Sequence, residues 1–221
     1  MYLNCMLTYQ AFNQKVFEQI PKNIPSILDI GCGAGNLGHA IKSADKFCKV
    51  EGITYSPVEK KLAEQYLDKV LCVDINKDLP YFEHLFDCII FSHILEHTYY
   101  PDKILVHFSK FLKKDGIIII ALPNILFFKQ RIEFLKGHFK YSPEGGLMDD
   151  THFRFFDWET VDDLALHSGL KIIKKQAEGH FPFPLLRKYF PAVAHTIDDF
   201  FVKRYPGLFG FQFILILQHT H

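Results

Sequence analysis

The sequence predicts an α/β fold: a seven-stranded, mostly parallel sheet with helices on both faces. Two observations carry this. Short apolar runs of strand length alternate with amphipathic stretches of helix length along the first half of the 221 residues. A glycine turn, Gly31-Cys32-Gly33-Ala34-Gly35, then separates the first of those runs from the helix after it.

The elements follow in order. Residues 9–20 read as a helix with Phe12, Val16, Phe17 and Ile20 on one face, ended by Pro21, within an N-terminal helical segment over 1–24. Strands are expected over 27–30, 49–53, 70–73, 86–91 and 117–122, with helices over 37–43, 57–66 and 102–112 between them. Lys114-Asp115-Gly116 reads as a turn before the fifth strand. The second half is less regular. Helices are expected over 124–135 and 158–167, strands over 170–175 and 211–217, and a proline-bearing, aromatic helical stretch over 183–205. Two late strands without a strand–helix–strand rhythm suit an antiparallel edge on the sheet.

Composition narrows the function. Lys+Arg and Asp+Glu number 25 each, so the net charge is zero. The basic excess of a phosphate-gripping protein is absent, and no nucleic-acid partner is expected. Cys5, Cys32, Cys48, Cys72 and Cys88 form no CxxC pair, which suits reduced thiols in a cytoplasmic protein. The N-terminus does not read as a secretory signal. The longest apolar runs, 117–123 and 213–217, are far short of the ~20 residues of a membrane span. One domain over 1–221 is expected.

The glycine turn carries the chemistry. Glycines let the backbone bend tightly and a ligand come close, and the free N–H groups of the following helix favour an anionic group. Asp29 just before the turn can accept a bond from a cationic amine. Taken from Gly33, the spacing to Gly35 and Gly38 also fits a dinucleotide fingerprint, so the glycines alone leave a nucleotide open.

The strings LDIGCGAGNLG, GITYSP, CVDINKDLPY, FDCIIFSHILEH and LKKDGIIIIALPN resemble, motif by motif, the class I S-adenosylmethionine (SAM)-dependent methyltransferases. PNILFFKQRIEFLKGHF and MDDTHFRFF are similar to the family-23 type, near the MetW proteins and the ubiquinone-type O-methyltransferases. The resemblance covers about residues 25–180 and implies a Rossmann-like fold with SAM as cofactor. It implies that Asp29, Gly31, Gly33 and Gly35 line the methionine half, that Cys32, Thr54 and Tyr55 are also cofactor-binding positions, that Asp74 bonds the adenine amine with Ile75 beside the ring, and that Ser92 and His93 face the sulfonium end. The family usually has an acid where Thr54 stands. One hydroxyl cannot match a two-oxygen carboxylate, and Glu51, three residues earlier, does not reach the same place. Weaker SAM binding, by about 1–2 kcal/mol, is therefore expected, with Thr54→Asp restoring it.

His93-Ile-Leu-Glu96-His97 follows the fourth strand, and His152 and Arg154 lie further on in Thr-His-Phe-Arg-Phe-Phe. His93 or His152 suits a general base for a hydroxyl nucleophile, and Arg154 could hold a substrate anion. His93, Glu96, His97 and His152 also resemble the metal ligands of some small-RNA and quinone O-methyltransferases; the favoured expectation is no metal, with Glu96 and His97 anchoring the loop. Segments 137–156 and 180–207 read as lid or substrate cover. The crowded phenylalanines offer an apolar pocket wall, core, or the face of a homodimer. Together these features point to methylation of a small molecule, most plausibly at oxygen. A MetW-like non-catalytic partner of a biosynthetic enzyme and an RNA or tRNA methyltransferase are the alternatives.

Overall fold

The computed structural model describes residues 12–220. Seven strands form one sheet: β1 (Ser26–Ile30), β2 (Lys49–Thr54), β3 (Lys69–Cys72), β4 (Phe86–Ser92), β5 (Leu112–Pro123), β6 (Leu170–Gly179) and β7 (Gly210–His219). Their order is β3-β2-β1-β4-β5-β7-β6. The first five run parallel, and β7 lies antiparallel between β5 and β6. The chain moves outward from β1 to β2 and β3, then returns to place β4 on the other side of β1. That reversal opens a crevice at the carboxyl ends of β1 and β4, where open α/β sheets bind ligands.

Strand periodicity divides the core into two layers. Leu28, Ile30, Ile89, Phe91, Ile118 and Ile120 point to one face, where they meet Phe108, Val161 and Phe213. Ile27, Cys88, Ile90, Ile119 and Ala121 point to the other, against Val16, Leu37 and Ile41. The helices on these faces are α1 (Gln14–Phe17), α2 (Asn36–Ala44), α3 (Pro57–Ala63), α4 (Pro101–Ser109), α5 (Phe128–Leu135) and α6 (Thr160–His167). The late aromatic segment supplies α7 (Pro184–Tyr189), α8 (Pro191–Arg204) and α9 (Pro206–Phe209). Among the described residues, no helix is long and apolar enough to cross a membrane.

Several elements differ from the sequence expectation for local reasons. Of the helix read over 9–20, residues 9–11 lie outside the described residues, and only Gln14–Phe17 is regular helix, capped by the Asn13 side chain. The helix expected from 124 begins at Phe128, because the Asn124 side chain takes the Leu126 N–H and donates to Gly207 and Gly210. Residues 114–116 are not a turn ahead of β5 but an outward bulge within it: Leu112 pairs with Phe86, and the next pair is Ile117 with Cys88. β6 runs on to Gly179, four residues beyond the alternating stretch, by pairing with the long β7.

Phe213 is fully buried between β5 and β6 and packs its ring edge-on against Trp158, 5.3 Å between centroids. Phe213→Ala is expected to cost about 3–5 kcal/mol in urea unfolding. Leu135→Ala, at an 88% exposed side chain, is expected to change stability by less than about 0.5 kcal/mol.

Candidate active site

The crevice is floored by the glycine turn. The N–H groups of Gly31 and Cys32 both donate to the Ile53 carbonyl at 2.9 Å, which pins the bend to the end of β2. Gly31, Gly33 and Gly35 have φ of +81°, +52° and +85°. They serve different ends. A Cβ at Gly31 would stand 2.9 Å from the Ile94 side chain, and one at Gly35 would stand 2.9 Å from the Ala63 backbone. Those two glycines let the bend pack against its neighbours. A Cβ at Gly33 would meet only Glu59 Oε1, at 3.9 Å. Among the described residues Gly33 therefore fronts open space, a cradle that a side chain would fill and a ligand can enter.

Asp29 lies in β1, two residues before Gly31, and is buried. Loss of hydration pushes its carboxyl up to about 7. A bound ammonium would reverse that shift. The Cys32 thiol faces inward onto Gly52, and burial, with the charges of Asp29 and Glu59, pushes it well up and keeps it protonated.

At the end of β2, Thr54 is buried and donates its hydroxyl to Glu59 Oε2 at 2.6 Å. A carboxylate from α3 thus stands at the end of β2 beside Thr54. Tyr55 is exposed. Glu51 is occupied elsewhere, 2.9 Å from His84. Asp74 caps its own turn through the Asn76 N–H and pairs with Lys77 at 2.9 Å; the Lys77 hydrogen bond holds its carboxyl below the usual range. Ile75 is buried beside it.

Ser92 ends β4 in register with Ala121, and His93 follows in a left-handed conformation, φ +53°. His93 Nδ1 lies 3.2 Å from Glu96 Oε1, and Nε2 lies 2.8 Å from Gln212 Oε1. Gln212 also accepts from Asn13 Nδ2 and donates to Glu178. Both ring nitrogens thus face acceptors, which suits the imidazolium. Desolvation pulls the His93 pKa down, but the Glu96 bond and charge, with Gln212 and Glu178, outweigh it and leave the pKa raised. Beside His93 opens a cavity of about 370 Å³, lined in part by Asn13, Lys15, Glu178, Phe211 and Gln212.

The remaining sequence candidates divide. Glu96, His97 and His152 bring one ligand atom each within 4.8 Å of one another. Glu96 Oε2 and His152 Nδ1 are buried without a hydrogen-bond partner. Burial lowers the His152 pKa. His93 is held outside this trio by its bonds to Glu96 and Gln212. Arg154 turns away: Nε and Nη2 donate to the Tyr99 carbonyl at 3.0 and 2.7 Å, and it borders a separate cleft with Tyr100 and His167. Segment 137–156 folds back on itself through the Ser142–Met148 and Asp150–Ser142 backbone bonds, and the Phe153 and Arg154 N–H groups dock on the Glu96 carbonyl. The aromatics of 180–207 stack largely on one another, Phe181 on Phe201 and Phe209.

A family profile described as a methyltransferase domain, the 23 type, matches residues 8–175. The chain belongs to this methyltransferase domain family. Its fold is that of the class I SAM-dependent methyltransferases, as the sequence resemblance implies. A SAM-dependent methyltransferase from Archaeoglobus fulgidus superposes with a TM-score of 0.65 at 20% identity, covering 98% of both chains. The methyltransferase domain is 35% identical over 111 residues to the ubiquinone biosynthesis O-methyltransferase of Pelagibacter ubique, covering 47% of this chain and 43% of that one. It is 32% identical over 116 residues to the ajmaline N-methyltransferase of Rauvolfia serpentina, covering 49% and 38%. It is 23% identical over 200 residues to the biotin biosynthesis bifunctional protein BioHC of Saccharophagus degradans, covering 86% of this chain and 35% of that one. The methyltransferase domain thus spans less than half the length of these curated relatives.

Sequence reading missed Glu59, Glu178 and Gln212. Glu59 had a signal, the Ser-x-x-Glu pattern over 56–59. Gln212 reaches His93 because β7 pairs with β5 next to β4, and Glu178 reaches Gln212 because β6 pairs with β7.

Asp29 carries a pH signature. Its carboxyl ionises near 3.8 in the open chain and near 7 in the fold, so without ligand its contribution to stability falls as pH rises from about 4 to about 7. Asp29→Asn removes that penalty. In urea unfolding the variant is expected to gain on wild type progressively across this window; parallel curves would show that the carboxyl is not desolvated.

Proposed function

We propose that this chain transfers the methyl group of SAM to an oxygen atom of a small molecule held in the cavity beside His93. The observation that supports this reading is the placement of the two features: the Gly33 cradle follows β1 and the His93 cavity follows β4, and these strands are neighbours in the sheet. The O-methyltransferase relative supports oxygen as the acceptor atom.

SAM, when bound, supplies a methyl group already activated on a sulfonium. The protein's work is then alignment and proton handling. Asp29 receives the cofactor's ammonium, and the bend over Gly31, Gly33 and Gly35 admits its carboxylate. Asp74 would take the adenine amine beside Ile75, Tyr55 would contribute to the cofactor site, and Ser92 and His93 would lie toward the sulfonium end. His93 receives the proton of the acceptor hydroxyl by exchanging its Gln212 bond. Glu96 holds the ring and balances the imidazolium that results. Glu178 and Gln212 orient polar groups of the acceptor. His152 supports Glu96 from behind, and Arg154 ties segment 137–156, the lid, to the β4 exit. The zero net charge favours a small molecule over RNA.

The test incubates the protein with SAM and a panel of phenols, catechols, hydroxy acids and amines, with mass spectrometry for the methylated product. Transfer to a hydroxyl is expected. Its rate should rise with pH along a limb set above the ordinary histidine value, because His93 must be neutral to act. His93→Gln should lower the rate by at least about 100-fold and abolish that limb. Transfer to nitrogen alone would remove the oxygen assignment. Bound SAM without any transfer, together with co-purification of a second enzyme, would favour the non-catalytic partner.

A second reading rests on the two orphaned atoms: Glu96, His97 and His152 hold a divalent cation, although the sequence favours none. Elemental analysis of purified protein, and melting curves with and without zinc, decide it. A stoichiometric metal and a raised melting temperature, both lost in His152→Ala, are expected; a metal-free protein indifferent to zinc rejects it.

A further inference from the structure

Ser56-Pro57-Val58-Glu59 has the spacing of a capping box. In such a box the cap oxygen takes the glutamate N–H, and the glutamate carboxylate turns back to the cap's own N–H. Only half of this box is made. Ser56 Oγ accepts the Glu59 N–H at 3.3 Å, but the Ser56 N–H goes to Thr54 Oγ1 at 3.3 Å. The Glu59 carboxylate is thereby released from capping and swings over the end of β2, where Thr54 donates to Oε2 at 2.6 Å. Oε1 makes no hydrogen bond among the described residues and overhangs the Gly33 cradle, 3.9 Å from where a Cβ would stand. A helix-borne carboxylate therefore occupies the ground that an acid at position 54 would hold.

We propose that Glu59, oriented by Thr54, accepts the hydrogen bonds of the two vicinal ribose hydroxyls of the cofactor. This rests on the reading that the glycine turn holds SAM. A carboxylate presents two oxygens with about four acceptor sites, and one Thr54 bond leaves enough for two donors. Thr54 has a single proton and spends it on Glu59, so it acts as a positioning residue. The substitution at position 54 is then no deficit, and the expected weakening of SAM binding does not follow from it. Thr54→Asp, instead of tightening binding, would set two carboxylates side by side and weaken it.

Calorimetry with S-adenosylhomocysteine and its 2′-deoxy analogue tests this. Wild type is expected to bind the parent compound and to bind the analogue more weakly. Glu59→Gln should bind the parent at least about tenfold more weakly and discriminate less between the two ligands. Thr54→Asp should also lose affinity, and matching melting curves would show that both variants are folded. Failure of wild type to bind S-adenosylhomocysteine would overturn the cofactor reading and this proposal with it. Normal wild-type binding, with unchanged affinity and discrimination in Glu59→Gln or tighter binding in Thr54→Asp, would overturn this proposal alone.

Discussion

Everything at this site depends on how the bend after β1 is held. Two N–H groups, from Gly31 and Cys32, converge on the Ile53 carbonyl and fasten the turn to the neighbouring strand. Ile94 from the β4 exit and Ala63 from α3 then press on the bend from either side, closer than any Cβ could tolerate at Gly31 or Gly35. The turn is thus fixed by backbone bonds and packing rather than by its own side chains. Of the three glycines in the bend, Gly33 alone faces open space among the described residues. A preformed cradle of this kind needs little reorganisation when a ligand enters.

The same contacts bind the two halves of the site together. Ile94, which packs on Gly31, sits between His93 and Glu96, the hydrogen-bonded pair proposed to handle the proton. Ala63, which packs on Gly35, ends the short helix that carries Glu59. The bend therefore packs against the elements that carry both the Glu59 carboxylate and the His93 imidazole. Asp29 adds the electrostatic cost. A buried carboxyl held near neutrality is a poor stabiliser of the fold but a good counter-charge for an ammonium, the kind of local conflict that marks a binding position.

The first half of the fold was legible because its signals are local. Apolar runs, a glycine turn and the residues that follow each strand are read from a few neighbouring positions, and those strands and helices lie where the sequence places them to within a few residues. Non-local features were not legible. The bulge over 114–116 looks like a turn until Phe86 and Cys88 are seen to pair on either side of it. The delayed start of α5 depends on Asn124 reaching Gly207 and Gly210, more than eighty positions away. At the site, Asp29 and His93 stood out, but Glu178 and Gln212 come from strands whose neighbours the sequence does not name. Thr54 was read without the Glu59 carboxylate it holds, because the hydrogen bond between them forms only in the fold.

Hydrogen–deuterium exchange with and without S-adenosylhomocysteine measures the central claim most directly. The account requires slowed exchange concentrated in residues 29–36, with a second patch over 54–59 where α3 begins. Unchanged exchange through the bend, or protection confined to the aromatic helices after residue 180, would contradict it.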